Sequence, residues 1–176
     1  MARNINKKLI YTNGDSWTAG DIVDPELFAD QPWHVNHPDN DNYRLPRVWP
    51  HKLGKMLGID VVNNSIAGAS NDEIVRSTIN DILELVQQNK PEDLFVIIGW
   101  SSPERKDFFY KWEESDKDGF WECLYPAELE DKSDRKELHD FFKLYVKNHW
   151  YPDEYITRHC LNNITLHNFL TNLGIG

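Results

Sequence analysis

The chain has 176 residues, with 29 acidic against 19 basic side chains and a formal net charge of −10, which suits one globular domain. Lys7-Lys8 is its only short basic start, so no nucleic-acid-binding face is expected, and no apolar run reaches membrane length. Cys123 and Cys160 stand in unlike contexts with no metal-ligand spacing, so no metal or cofactor is expected and a reduced compartment is.

The N-terminal segment has no apolar region behind its charges, which argues against a signal peptide. An apolar run from Lys8 to Thr12 predicts the first strand. It leads into Gly14-Asp15-Ser16 and so lifts a serine hydroxyl to the carboxyl edge of a sheet, where open α/β folds bind ligands. A serine nucleophile also needs a base and donors for the oxyanion. Without them, a strand-terminal Gly-Asp-Ser is a turn or helix cap.

Residues 21–45 form a polar insertion rich in Asp, Asn, Pro and His, without periodicity, and read as a long surface loop. Its His34 and His37 are candidate bases if the insertion folds over Ser16, and they lack the further ligands a metal would need. A helix follows, with Pro46 in its first turn and Gly58 as its C-cap. The second strand runs from Ile59 to Asn63.

Next comes Asn63-Asn64-Ser65-Ile66-Ala67-Gly68-Ala69-Ser70-Asn71, again between a strand and a helix. Gly68 is suited to turn a backbone N–H into the same crevice, while Ser70 with Glu73 has the pattern of a capping box. Val75, Ile79, Ile82, Leu83 and Val86 mark the apolar face of that helix, and Pro91 stops it. The third strand, Leu94 to Gly99, opens into Trp100-Ser101-Ser102-Pro103-Glu104-Arg105, read in isolation as a turn held by a Glu104–Arg105 charge pair.

Residues 101–134 mix charges with aromatics and resist assignment. Helices are expected from Asp134 to about Trp150 and from Pro152 to Gly174, the latter with Ile156, Cys160, Ile164, Leu170 and Leu173 as its stripe. His51, His139, His149, His159 and His167 fall on expected helices, away from the strand ends. The seven tryptophans read chiefly as core and loop anchors, with a sugar- or aromatic-binding rim as the alternative.

The three strand-end blocks, in this order, resemble the SGNH (GDSL-type) hydrolase family, and the form Gly-Trp-Ser-Ser-Pro-Glu-Arg resembles bacteriophage-encoded members. The resemblance spans roughly residues 8–176. It implies a flavodoxin-like three-layer α/β/α sandwich with a parallel sheet, acting as a serine esterase on acyl or acetyl groups, with an acylated glycan as a possible substrate. Ser16 maps to the nucleophile and Gly68 to a backbone oxyanion donor. Ser101 stands where the family has an Asn donor, a change that typically costs ~10²–10³ in turnover, and Asn71 is a substitute donor.

The family's closing Asp-x-x-His has no counterpart here. Asp153 and His159 are six residues apart on one expected helix and do not share a face. The expectation is therefore a single domain, 1–176, shortened at the C-terminal side, with Ile175 at the start of an unfinished fourth strand. Such a chain is impaired or inactive alone, with any base coming from the insertion or another polypeptide. The alternative is a non-catalytic viral structural or partner-binding module in a host cell or virion. The unpaired apolar strand 94–99 then invites self-association or a protein partner.

Overall fold

The computed structural model describes residues 8–28, 35–110, 119–126 and 136–175. Three short strands form a parallel sheet in the order β2-β1-β3: β1 (Leu9–Gly14) in the middle, β2 (Asp60–Asn63) and β3 (Leu94–Gly99) on its flanks. The register aligns Leu9 with Asp60 and with Leu94, and Gly14 with Gly99, so the strands end together. With helices between them the molecule is mixed α/β, as the alternation of apolar runs and helical periods requires.

Ile10 and Tyr11 are fully buried, as expected for a central parallel strand covered on both faces. Tyr11, Ile82 and Leu94 form one core with Ile175, and Val62, Val96, Ile98, Phe169, Leu170 and Leu173 pack against it. Full burial of one such aliphatic side chain contributes about 1.5–3 kcal/mol. Ile175 is not the start of a strand; it follows Gly174, whose φ of +79° turns the chain, and it plugs this core.

The helices are α1 (Ser16–Ala19), α2 (Pro25–Phe28), α3 (Asp41–Arg44), α4 (Trp49–Leu57), α5 (Asn71–Leu85), α6 (Lys136–His149) and α7 (Pro152–Asn172). Gly58, at φ +69°, caps α4 as expected.

The structure corrects four expectations. The insertion is not a plain surface loop: it carries α2, α3 and two 3₁₀ turns, and it is anchored by Asn40, whose buried amide joins Asp24, Ile22 and Val35. The buried stripe of α5 is Asn71, Ile74, Thr78 and Ile82, while Leu83 is exposed. The unassigned stretch after the third strand holds an antiparallel hairpin, β4 (Lys106–Tyr110) with β5 (Phe120–Leu124). Its Phe108, Tyr110 and Leu124 pack on Leu138 and Phe142 of α6, forming a second core. Finally, α7 leaves Ile156, Cys160 and Ile164 exposed and turns Arg158, His159, Asn162 and Leu166 inward instead.

Among the described residues no helix is long and apolar enough to cross a membrane.

Candidate functional site

The carboxyl end of β1 is held by a buried polar ladder. Asn13 donates to Ser77 Oγ (2.8 Å), Thr78 Oγ1 (2.9 Å) and Tyr11 Oη (3.2 Å), and its Oδ1 accepts from Gly14 N (2.8 Å). Tyr11 Oη in turn donates to Asp81 at 2.5 Å. Burial, reinforced by that bond, pushes the Tyr11 phenol well above its ordinary range, so it stays a neutral donor.

The chain then turns sharply. A Cβ on Gly14 would lie 2.5 Å from Thr18 Oγ1 and 2.6 Å from Gly99 O, so only glycine lets α1 close over the strand ends. Asp15 is buried and accepts from Trp17 N (3.1 Å) as the N-cap of α1. Ser16 follows as the first residue of the turn and is half-buried. Thr18 and Ala19 face the interior, which leaves Trp17 86% exposed beside Ser16.

The loop after β2 is tied to the same place. Asn64 N donates to Thr12 O (3.0 Å) and Ile66 N to Gly14 O (3.1 Å). The insertion reaches over it: Asn36 donates to Ala67 O (3.3 Å) and accepts from Ala67 N (3.1 Å). Gly68 follows, exposed, at φ +91°, with no atom within 4 Å of where a Cβ would stand.

Asn71 and Ser101 meet in a different manner. Asn71 Oδ1 accepts from Ser101 N (2.7 Å) and its amide donates to Ser101 O (3.0 Å), both residues being buried. Ser101 Oγ accepts from Arg105 Nη1 (3.1 Å), which also donates to Ala69 O (3.2 Å) and lies 3.9 Å from Asp15 Oδ2. Arg105 thus links all three strand-end blocks rather than pairing with Glu104, which accepts from Ser102 Oγ. The Asn71 amide is thus committed to the Ser101 backbone, while the Ser101 hydroxyl accepts from Arg105.

His159 is not away from the strand ends. Its ring packs edge-on against Trp100, with centroids 5.6 Å apart, and its Nδ1 lies 3.1 Å from the Asn71 amide nitrogen. The bond from Ser101 N makes the Asn71 atom facing His159 its amide nitrogen, a donor, so Nδ1 accepts this bond where it carries no proton. The Asn163 amide nitrogen, which donates to His159 O (2.9 Å), lies 3.2 Å from Nε2. Helical phase hid this residue: Arg158, His159, Asn162 and Leu166 share a face that a search for apolar stripes passes over.

Around this centre lies a belt of ion pairs. Arg158 binds Asp72 (2.8 Å) and the carbonyls of Arg105 and Pro103. Asp107 accepts from Ser70 Oγ (2.6 Å) and Arg76 (2.9 Å). Ser70 Oγ accepts in turn from Glu73 N (3.1 Å), the capping bond expected from the sequence. Burial raises the Glu73 carboxyl above its usual range, with Asp107 adding and Arg76 opposing. Burial, with Asp107 nearby, pushes the Cys123 thiol up to about 12, so it is no thiolate.

Of the other histidines, His34 lies outside the described residues. His37 caps a 3₁₀ turn, its Nδ1 accepting from Asp39 N (3.2 Å), with its ring against Phe28. No three His, Cys, Asp or Glu side chains gather as metal ligands among the described residues.

A family model described as a family of unknown function, DUF6071, matches residues 29–175, which takes in Gly68, Asn71, Ser101 and His159 and begins after Ser16. No curated protein and no solved structure matches the chain.

Proposed function

This chain belongs to DUF6071, a family of unknown function, and we propose that it is a serine ester hydrolase domain of the SGNH type, built as a flavodoxin-like three-layer sandwich. One observation carries the reading. Ser16 stands half-buried at the carboxyl end of the central strand, and the loop bearing the exposed Gly68 is bonded to that same strand end through Ile66 N and Gly14 O. Ser16 Oγ adds to the ester carbonyl carbon while its proton passes to a base; the tetrahedral intermediate collapses, the alcohol leaves with that proton, and the acyl-Ser16 left behind is cleaved by water to the acid and free serine. Gly68 N–H holds the oxyanion. Asn71 and Ser101 are positioning residues that brace the third block.

Turnover by this chain alone is impaired, because the amides of Asn71 and Asn163 engage both ring nitrogens of His159 and the chain has no Asp-x-x-His block. The test is p-nitrophenyl acetate hydrolysis by the parent chain and by Ser16→Ala. Slow hydrolysis that falls at least about tenfold in the variant is expected; equal rates overturn the reading.

The second reading is a non-catalytic module, viral and structural, that binds a partner. The commitment of the Asn71 amide to the Ser101 backbone and to His159 favours it. On either reading we propose that β3, an end strand of the sheet with Phe95 37% exposed, pairs with a second copy. Sedimentation should find dimers, and a strict monomer at high concentration sinks this.

A further inference from the structure

A cleft of about 340 Å³ opens between the insertion and the loop after β2. Its polar lining includes Asn36, Asp41, Arg44, Asn64, Ser65 and Asp81. We propose that it is a binding site for a neutral, polyhydroxylated ring, a sugar unit of the substrate.

The chemistry of the lining selects this class. Two carboxylates face one guanidinium, and that guanidinium is already paired to Asp41 at 2.7 Å, so phosphates and carboxylates are repelled. No aromatic side chain lines the cleft, so a nucleobase has nothing to stack on. A cation lacks a ligand shell, since no three acidic, His or Cys groups gather among the described residues. Hydroxyl groups both donate and accept, and the cleft supplies both needs. Asp41 spends Oδ1 on Arg44, and Asp81 spends Oδ2 on Tyr11 and Asn64, which leaves the second oxygen of each to accept among the described residues. Two lining residues also carry buried polar atoms with no partner among the described residues: Ser65 Oγ and Arg44 Nε. Native interiors rarely leave such groups unsatisfied without a reason, and small movements of the wall on binding would give them one. The volume lies at the low end for small-molecule sites, as one ring requires.

The cleft is fastened to the turn that carries Ser16. Asn63 donates to Thr18 O (3.2 Å), Arg44 to Ala19 O (2.7 Å), and Ile66 N to Gly14 O (3.1 Å). The walls of the cleft are thus bonded to the turn that bears Ser16, although Ser16 itself is not among the lining residues. That a sugar held here presents an ester to Ser16 rests on the hydrolase reading; that it binds does not.

The experiment uses the full chain carrying Ser16→Ala, followed by amide NMR. Its probes are methyl β-glucoside, methyl β-xyloside and N-acetylglucosamine, with inorganic phosphate and p-nitrophenol as comparisons. Saturable shifts of the Asn36 and Asn64 side-chain amides are expected with at least one sugar. Asn64→Ala, at an exposed position, should raise its Kd about tenfold, and Ser65→Ala, which keeps the shape of the site, should weaken it also. The inference is overturned if no sugar saturates, if both variants bind as tightly as the parent, or if phosphate or p-nitrophenol produces the shifts instead. Absent sugar binding with Ser16-dependent ester hydrolysis removes the cleft and leaves the hydrolase; sugar binding without that hydrolysis does the reverse.

Discussion

The two halves of the strand-end crevice are built on opposite terms. Where the first and second blocks meet, side-chain capacity is left open: Ser16 is half-buried, Gly68 is exposed with free space around it, and Trp17 projects outward. Where the second and third blocks meet, nearly everything is spent. Asn71, Ser101, Arg105 and His159 are joined in a partly buried network. Low local dielectric strengthens such a network and makes any gap in it costly. The contrast separates residues that hold the crevice in shape from those with chemistry to offer, even though all were candidates on sequence alone.

The sharpest way to break this contrast is Asn71→Ala. It strips partners from a buried Ser101 N–H and carbonyl, so a loss of about 2–4 kcal/mol is expected in urea unfolding. A loss below about 1 kcal/mol would show the braced half to be no brace. Gly68→Ala acts on the open half. It meets no neighbouring atom but must adopt a φ near +91°, which costs about 1 kcal/mol. Strain there turns the backbone N–H, so ester hydrolysis should fall about 10²-fold while the thermal midpoint moves little. Unchanged hydrolysis would remove Gly68 from the oxyanion role.

The smallest effect lies at the rim of the braced half, at Glu73→Gln. Burial holds this carboxyl's folded value above its ordinary 4.5. The folded chain therefore binds that proton more tightly than the unfolded one, and the charged form costs stability as pH rises through the window above 4.5. Glutamine avoids the cost. The variant should be slightly more stable at neutral pH, with the gain vanishing in acid, as thermal unfolding across pH would record. A gain that persists in acid would point to packing rather than charge.

The sheet was legible because its three strands are continuous apolar runs between helical periods; Leu94–Gly99 was placed to the residue. Gly58 and Ser70 announced helix ends through backbone chemistry that acts locally. The hairpin was not legible, since Phe108, Phe109, Tyr110 and Trp121 alternate poorly with charges whose partners lie on other elements, such as Lys106 with Glu154 on α7. The insertion looked aperiodic because single polar anchors, Asn40 and Arg44, hold it in place of an apolar face. Of the site, Ser16 and Gly68 could be located from strand ends alone. His159 and Arg105 could not, because their positions depend on long-range hydrogen bonds that leave no period in the chain.

Helix α7 joins these two worlds mechanically. Its 21 residues span about 30 Å. In its first half, up to the midpoint, Arg158, His159 and Asn162 bond the loops at the strand ends; at its far end Phe169, Leu170 and the following Ile175 fill the core. A helix fastened at both places frays at neither without loosening the other. The crevice and the core should accordingly exchange their amide protons as one cooperative unit, with His159 reporting on events about 15 Å further along the helix.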